Sequence, residues 1–162
     1  MLFMNKLKCQ LDYIQNFLSL SENDIIGIFL YGSQNYGLST QDSDVDSIVL
    51  VTNTQRLKQE ITLDSGKVKV YTIPYFIERL KRGDLECYEI LFTPHRILNA
   101  KYESVFANFV QKFSHCMSYD RIKRSLYIKL DEHMHYIFWM IINKDGAKYN
   151  KKRLYWAIRV CN

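Results

Sequence analysis

Apolar side chains recur at intervals of three and four residues near the start of the chain and then gather into short runs. The helical spacing predicts an amphipathic helix over residues 5–19. The runs at residues 25–31 and 44–52 each predict a buried strand. Residues 34–38, between these runs, suit a short helix. The chain therefore begins with a helix and places two strands around a polar segment that contains glycine.

Polar and apolar side chains alternate over residues 67–73, where β-branched residues are frequent, so we predict a third strand there. Residues 60–63 suit a short strand or the end of a helix. Pro74 then suits the first position of a helix. Asp84 is a candidate N-cap for the next helix, which Pro94 ends.

The second half of the chain has a helical pattern throughout. Apolar stripes predict one helix from about Tyr102 and a long helix capped by Ser118, and we interpret both stripes as helix-packing surfaces. A further helix begins near Asn150, and the sequence ends inside its pattern, so we expect that the chain is truncated.

This order of elements predicts an α+β fold, in which a small mixed sheet is backed by helices and followed by a C-terminal helical region. We expect two domains. The first, residues 1–97, would carry the chemistry, and the second, residues 98–162, would be helical.

Composition narrows the class of protein. The 162 residues are 48% hydrophobic and 24% charged, which indicates a packed core rather than disorder. A net charge of +5 suits an anionic ligand such as a nucleotide or nucleic acid, although many basic proteins bind neither. The longest late apolar run, residues 136–142, is too short to span a bilayer, so we expect no membrane partner.

The cysteines have neither metal-ligand nor redox-motif spacing. None form a CxxC pair, and we interpret them as buried, reduced thiols of a cytoplasmic protein. They are Cys9, Cys87, Cys116 and Cys161.

Alternating carboxylates lie where the second predicted strand begins. Asp44 and Asp46 would point to the same face of a strand, about 7 Å apart. Two such carboxylates repel each other, and a divalent cation between them removes the repulsion. Mg²⁺ prefers one or two carboxylates together with waters and phosphate oxygens. A charged strand edge is the simpler explanation of the aspartates alone, and we assign Asp42 to a turn.

Gly32 and Ser33, which follow the first predicted strand, favour the metal interpretation. Glycine lets a phosphate approach the backbone, and a serine hydroxyl can donate to it together with the amides at the start of a helix. Phosphate donors and metal ligands would then converge at one corner of the sheet.

The segment GSQNYGLSTQDSDVDSIVL resembles the Gly-Ser…Asp-x-Asp signature of the DNA polymerase β-like nucleotidyltransferase superfamily. It is similar in particular to the minimal nucleotidyltransferases associated with RNA repair, with their pattern GS-x-x-YG-x-x-T-x-x-SD-x-D. The matching residues are Gly32, Ser33, Tyr36, Gly37, Thr40, Ser43, Asp44 and Asp46. The resemblance continues at RGDLECYEILFTP, residues 82–94, and at NKKRLYWAIRV, residues 150–160.

The resemblance implies a nucleotidyltransferase-type sheet with the aspartates at its edge. Asp44 and Asp46 would hold two Mg²⁺ ions, with Mn²⁺ as an alternative, and Ser33 and the Gly32 backbone would hold the triphosphate of an NTP such as ATP. An acceptor hydroxyl, most simply on RNA, would attack the α-phosphate and release pyrophosphate. The basic residues Lys152 and Arg159 would contact phosphate, although a solvated basic helix face explains them at least as well.

One residue of the superfamily pattern is missing. A third carboxylate on a neighbouring strand usually helps to ligate the catalytic ion, and here its expected position falls at Lys67–Lys69. A register shift would bring Asp64 there instead, but we favour a genuine absence. A lysine would partly replace the charge of a metal ion and weaken the site of the catalytic ion. Binding would therefore survive more easily than turnover.

Two classes of function follow. The first is a Mg²⁺-dependent nucleotidyltransferase. The second is a degenerate protein of the same fold that binds nucleotide or a protein partner without turnover, in an antitoxin-like or regulatory role. Fold analogy alone does not choose between them, and the intact Gly-Ser…Asp-x-Asp signature leads us to prefer the enzyme.

Overall fold

The computed structural model describes residues 2–36, 43–52, 58–114 and 118–142. The chain forms two compact units, Met1–Met117 and Ser118–Asn162, and each is described by itself. The predicted division into residues 1–97 and 98–162 stays a prediction.

The first unit alternates helices with strands. In chain order its elements are α1 (Leu2–Phe17), β1 (Ile25–Leu30), β2 (Ser47–Val51), β3 (Lys58–Leu63), β4 (Gly66–Thr72), α2 (Ile73–Lys81), α3 (Leu85–Phe92), β5 (Arg96–Leu98) and α4 (Glu103–Ser114). Short 3₁₀ helices lie at Glu22–Asp24, Gly32–Tyr36 and Ala100–Tyr102.

The five strands form one mixed sheet in the order β3-β4-β2-β1-β5. Strands β2 and β4 pair in parallel, and the other neighbouring strands pair antiparallel. The predicted α+β fold, with a small mixed sheet backed by helices, is confirmed.

Helix α1 covers one face of the sheet. Leu7 and Ile14 are fully buried there and join a core formed with apolar residues of β1, β2 and β4. The predicted amphipathic helix is confirmed, and it starts three residues earlier than expected. The alternation in β4 explains its orientation, because Val68 and Val70 face this core while Lys67 and Lys69 point to the other face.

The other face of the sheet packs against the later helices of the unit. The rings of Phe29 in β1 and Phe106 in α4 lie 5.0 Å apart, centroid to centroid. Helix α2 begins beside Pro74, as predicted. Asp84 caps α3, because its carboxylate accepts a hydrogen bond of 3.1 Å from the N–H of Cys87.

Three sequence predictions need correction. Strand β2 begins at Ser47 rather than at residue 44, because β1 turns away after Leu30, the partner of Ser47, and the antiparallel ladder ends there. The short helix spans Gly32–Tyr36 rather than residues 34–38. Strand β5 was not predicted, since three partly exposed residues carry too little periodic signal.

The second unit contains α5 (Tyr119–Ile142) among its described residues. Ser118 caps this helix as predicted, because its hydroxyl accepts from the N–H of Arg121 at 3.5 Å and its carbonyl from that of Ile122 at 3.1 Å. The helix predicted from residue 150 lies outside the described residues.

The predicted burial of the cysteines is correct for Cys87 and wrong for Cys9, which lies on the exposed side of α1. Cys116 and Cys161 lie outside the described residues. Within the described ranges, no helix is both long and apolar enough to cross a membrane. The cytoplasmic location stays a prediction.

Gly66 lies close against the backbone of Val45, in the segment Asp44–Asp46. Its φ is +134°, and a Cβ at this position would lie 2.3 Å from the carbonyl oxygen of Val45. We predict that Gly66→Ala lowers the free energy of unfolding by about 2–4 kcal/mol, because strain and overpacking act together. Urea unfolding followed by circular dichroism measures this change. Asp64→Ala, in the same turn but exposed, is the matched control, and equal stability of the two variants would contradict the prediction.

Candidate active site

The chain reverses its course directly after β1. Gly32 has a φ of +81°, a conformation that favours glycine, and it begins the 3₁₀ helix Gly32–Tyr36, named here the Gly32 turn. Its N–H donates a hydrogen bond of 2.7 Å to Oε1 of Glu89 in α3. The turn is therefore anchored to a helix that lies 57 residues away in the sequence.

Glu89 is part of a hydrogen-bond network that sequence reasoning missed. Asn35 donates to the same Glu89 oxygen at 2.9 Å and to the carbonyl of Leu30 at 2.8 Å. The hydroxyl of Thr93 in turn donates to Asn35 Oδ1 at 2.7 Å. In the sequence, Glu89 directly precedes the apolar pair Ile90-Leu91, which is buried, and it lies within the segment that resembles the family. That position was the available signal for a structural role of Glu89. The network determines how the Gly32 turn lies against α3.

The segment Asp44–Asp46, named here the aspartate segment, lies beside the Gly32 turn. Val45 is buried, Asp44 is exposed and Asp46 is half-buried, so both aspartates are accessible to solvent. Asp46 Oδ1 accepts from the N–H of Lys67 at 3.1 Å. Asp46 Oδ2 faces the backbone of Gly32, where an added Cβ would lie 3.8 Å from it. The structure thus brings Asp46 next to Gly32, as the sequence suggested.

A buried glutamine, which sequence reasoning also missed, positions this segment. The side-chain amide of Gln10 in α1 donates to the carbonyl of Val45 at 2.8 Å and to the hydroxyl of Ser65 at 3.0 Å. Its Oε1 accepts from the hydroxyl of Ser47 at 2.8 Å. Gln10 is only 1% exposed. The signal was a polar residue on the apolar face of α1, between Leu7 and Ile14.

The position of the expected third carboxylate is taken by lysine. Ser47 of β2 is the register partner of Val68 in the parallel strand β4. Lys67 therefore lies beside Asp46, on the face of the sheet that carries the aspartates. Asp64 lies in the turn before β4 and is exposed, so the register shift that would bring it to this position is absent.

The two lysines make different contacts. Lys67 is largely exposed, and its ammonium lies 3.7 Å from a carboxylate oxygen of Glu60 on β3. The side chain of Lys69 is only 12% exposed, and its ammonium lies 2.6 Å from a carboxylate oxygen of Glu86 on α3. The same ammonium lies 4.7 Å from the centroid of the Tyr31 ring.

The pKa of the Tyr31 phenol reflects its burial and the charges around it. Burial raises the pKa of its phenol well above the ordinary value, and the negative charges of Glu86 and Asp46 raise it further. The phenol of Tyr31 is therefore harder to ionise than that of a free tyrosine.

The remaining predicted residues are placed only in part. Ser33 lies in the Gly32 turn. Lys152 and Arg159 lie outside the described residues, and their phosphate contacts stay predictions. Within the described ranges, no group of three or more histidine, cysteine, aspartate or glutamate side chains could hold a metal ion. The pair Asp44 and Asp46 offers hard oxygen donors of the type that Mg²⁺ prefers, provided that other oxygens complete the coordination.

Comparison with known families identifies the class of protein. The model of the nucleotidyltransferase domain family matches residues 12–106, more than half of the chain. The matched region includes the Gly32 turn, both aspartates and α3. The chain therefore belongs to the nucleotidyltransferase domain family, and nucleotidyl transfer is the general function that this membership supports. Among curated proteins, none matches the chain.

We predict that Gln10→Leu lowers the free energy of unfolding by about 2–4 kcal/mol, because it leaves the buried carbonyl of Val45 and the hydroxyl of Ser47 without their partner. Urea unfolding measures the loss. Gln15→Leu, a half-buried glutamine on the same helix, is the control and should change stability little. A Gln10→Leu protein as stable as the control would show that this amide does not hold the segment.

Proposed function

We propose that the protein is a Mg²⁺-dependent nucleotidyltransferase that transfers a nucleoside monophosphate from an NTP to an acceptor hydroxyl on RNA. The observation that carries the proposal is the position of the Asp46 carboxylate, which lies between Gly32 at the start of the Gly32 turn and Lys67 at the start of β4. The more specific link to RNA-repair nucleotidyltransferases comes from the resemblance of residues 32–50 and is part of the same proposal.

Asp44 and Asp46 would hold the metal ion in this proposal. The exposure of Asp44 leaves room for a nucleotide and for water at the ion, while the bond from the Lys67 N–H orients Asp46. Mg²⁺, or Mn²⁺ in its place, would supply charge neutralisation for the phosphate oxygens and lower the pKa of the attacking hydroxyl.

The Gly32 turn would hold the triphosphate. Because the N–H of Gly32 already donates to Glu89, we assign the phosphate contacts to Ser33 and the backbone N–H groups that follow it. Glu89 is then a positioning residue, since it acts through the turn. Lys152 and Arg159 are proposed as further phosphate contacts.

The reaction follows from this arrangement. The oxygen of the acceptor hydroxyl would form a bond to the α-phosphorus, and the bond from that phosphorus to the bridging oxygen of the β-phosphate would break. The hydroxyl proton would pass to water, and pyrophosphate would leave. The net charge of +5 supports a polyanionic acceptor, and the resemblance favours RNA over DNA or protein.

We predict that Asp44→Ala and Asp46→Asn each reduce transfer from an α-³²P-labelled NTP by about 100-fold or more, since each removes a ligand of the ion. The assay uses the four NTPs with RNA, DNA and protein acceptors and Mg²⁺. Asp46→Asn keeps an oxygen that can accept from the Lys67 N–H, and it therefore separates charge from structure.

Asp64→Ala is the control for this assay, because Asp64 is an exposed carboxylate outside the proposed ligand set. Transfer that depends on both aspartates and prefers RNA supports the proposal. Binding of NTP without transfer to any acceptor would contradict it and would favour the alternative in which the fold binds without turnover.

A further inference from the structure

We infer that the candidate active site takes a single divalent cation per chain, which arrives with the nucleotide, and that the Lys69 ammonium is the fixed positive charge where a second ion would otherwise be held. This inference rests on the proposed function and concerns the metal content of the same site.

The sheet order places the Lys69 ammonium above the start of β2. Lys69 lies on β4 and Tyr31 directly follows β1, and β2 lies between these two strands. Neighbouring strands are about 4.8 Å apart, so the two side chains meet only by reaching over β2 from both sides. They do meet, because the ammonium lies 4.7 Å from the centre of the Tyr31 ring.

At this place the chain passes from Asp46 into β2, which begins at Ser47. Lys69 is the register partner of Ile48, and Tyr31 donates its N–H to the carbonyl of Asp46 at 3.0 Å. Side chains of register partners point to the same face, so the Asp46 carboxylate and the Lys69 ammonium share the face and the end of the sheet. A carboxylate at position 69 would lie on this same face of β4.

Lys69 is held in this position on two sides. Its ammonium contacts Glu86 at 2.6 Å, and its side chain is 12% exposed. Burying an ammonium costs free energy unless a carboxylate pairs with it. The ion pair therefore stabilises the positions of both Lys69 and Glu86. The aromatic face of Tyr31 adds a second attraction.

Two acids of the described residues near this end of the sheet, Glu86 and Glu60, are held by the same lysines. Glu86 pairs with Lys69, and Glu60 pairs with Lys67 at 3.7 Å. Each glutamate would have to break its ion pair with lysine before it could bind a metal ion. The unpaired ammonium would then repel that ion. Asp44 and Asp46 alone suit one ion whose remaining ligands come from water and the triphosphate.

Counting bound Mn²⁺ tests the inference. The folded full chain is dialysed against Mn²⁺ and the non-hydrolysable analogue α,β-methylene-ATP, and free Mn²⁺ is measured by electron paramagnetic resonance. We expect one protein-dependent Mn²⁺ per wild-type chain and none in the Asp44→Ala/Asp46→Ala variant. We expect two in Lys69→Asp, which removes the ammonium and places a carboxylate on the same face of β4.

Lys8→Asp is the control, because it makes the same charge change at an exposed lysine of α1, which covers the opposite face of the sheet. We expect it to bind one Mn²⁺, as the wild type does. Thermal unfolding establishes that each variant is folded. Because the wild-type count is itself decisive, the inference remains testable if Lys69→Asp does not fold.

The outcomes separate the inference from the proposed function. Two Mn²⁺ per wild-type chain, one in folded Lys69→Asp, or two in Lys8→Asp would each overturn the role of Lys69 while leaving the enzyme proposal intact. No bound Mn²⁺ in the wild type, or a count that both aspartate substitutions leave unchanged, would overturn the proposed function and the inference together.

Discussion

The buried amide of Gln10 is the interaction on which the candidate site depends. It joins α1 to the aspartate segment through Val45 and Ser47 and to the turn before β4 through Ser65. A buried amide with satisfied partners stabilises one arrangement of these groups, since every alternative leaves polar atoms unpaired in the core. The carboxylates of the segment are thus positioned by a residue that is almost completely buried.

The same segment is held from the opposite side by β4. The N–H of Lys67 fixes one oxygen of Asp46, and the parallel pairing of β2 with β4 carries Lys69 to the end of the sheet where the aspartates lie. Membership of the nucleotidyltransferase domain family supports nucleotidyl transfer as the general function. Lys67 and Lys69 add two ammonium groups to the same end of the sheet. In our proposal, a positive charge built into the site would change how many ions it needs without changing where the nucleotide phosphates would lie.

Periodicity in the sequence was sufficient to predict the helices and the central strands, because each element carries its own local pattern. The cap at Asp84 was predicted for the same reason. Gln10 and Glu89 were not predicted, because their partners lie 35 and 57 residues away and no local pattern encodes such pairings. The start of β2 was placed too early because it depends on where β1 turns away rather than on the residues of β2.

The central claim is that the Asp44–Asp46 segment and the Gly32 turn together form a metal–nucleotide site. Paramagnetic broadening of backbone amide signals by Mn²⁺ added with α,β-methylene-ATP tests it most directly. The account predicts that the signals of Gly32 and Lys67 broaden first, and that those of Ile25 and Val51, paired at the far end of β1 and β2, broaden last. Broadening in the reverse order, or equally at both ends of the sheet, would contradict it.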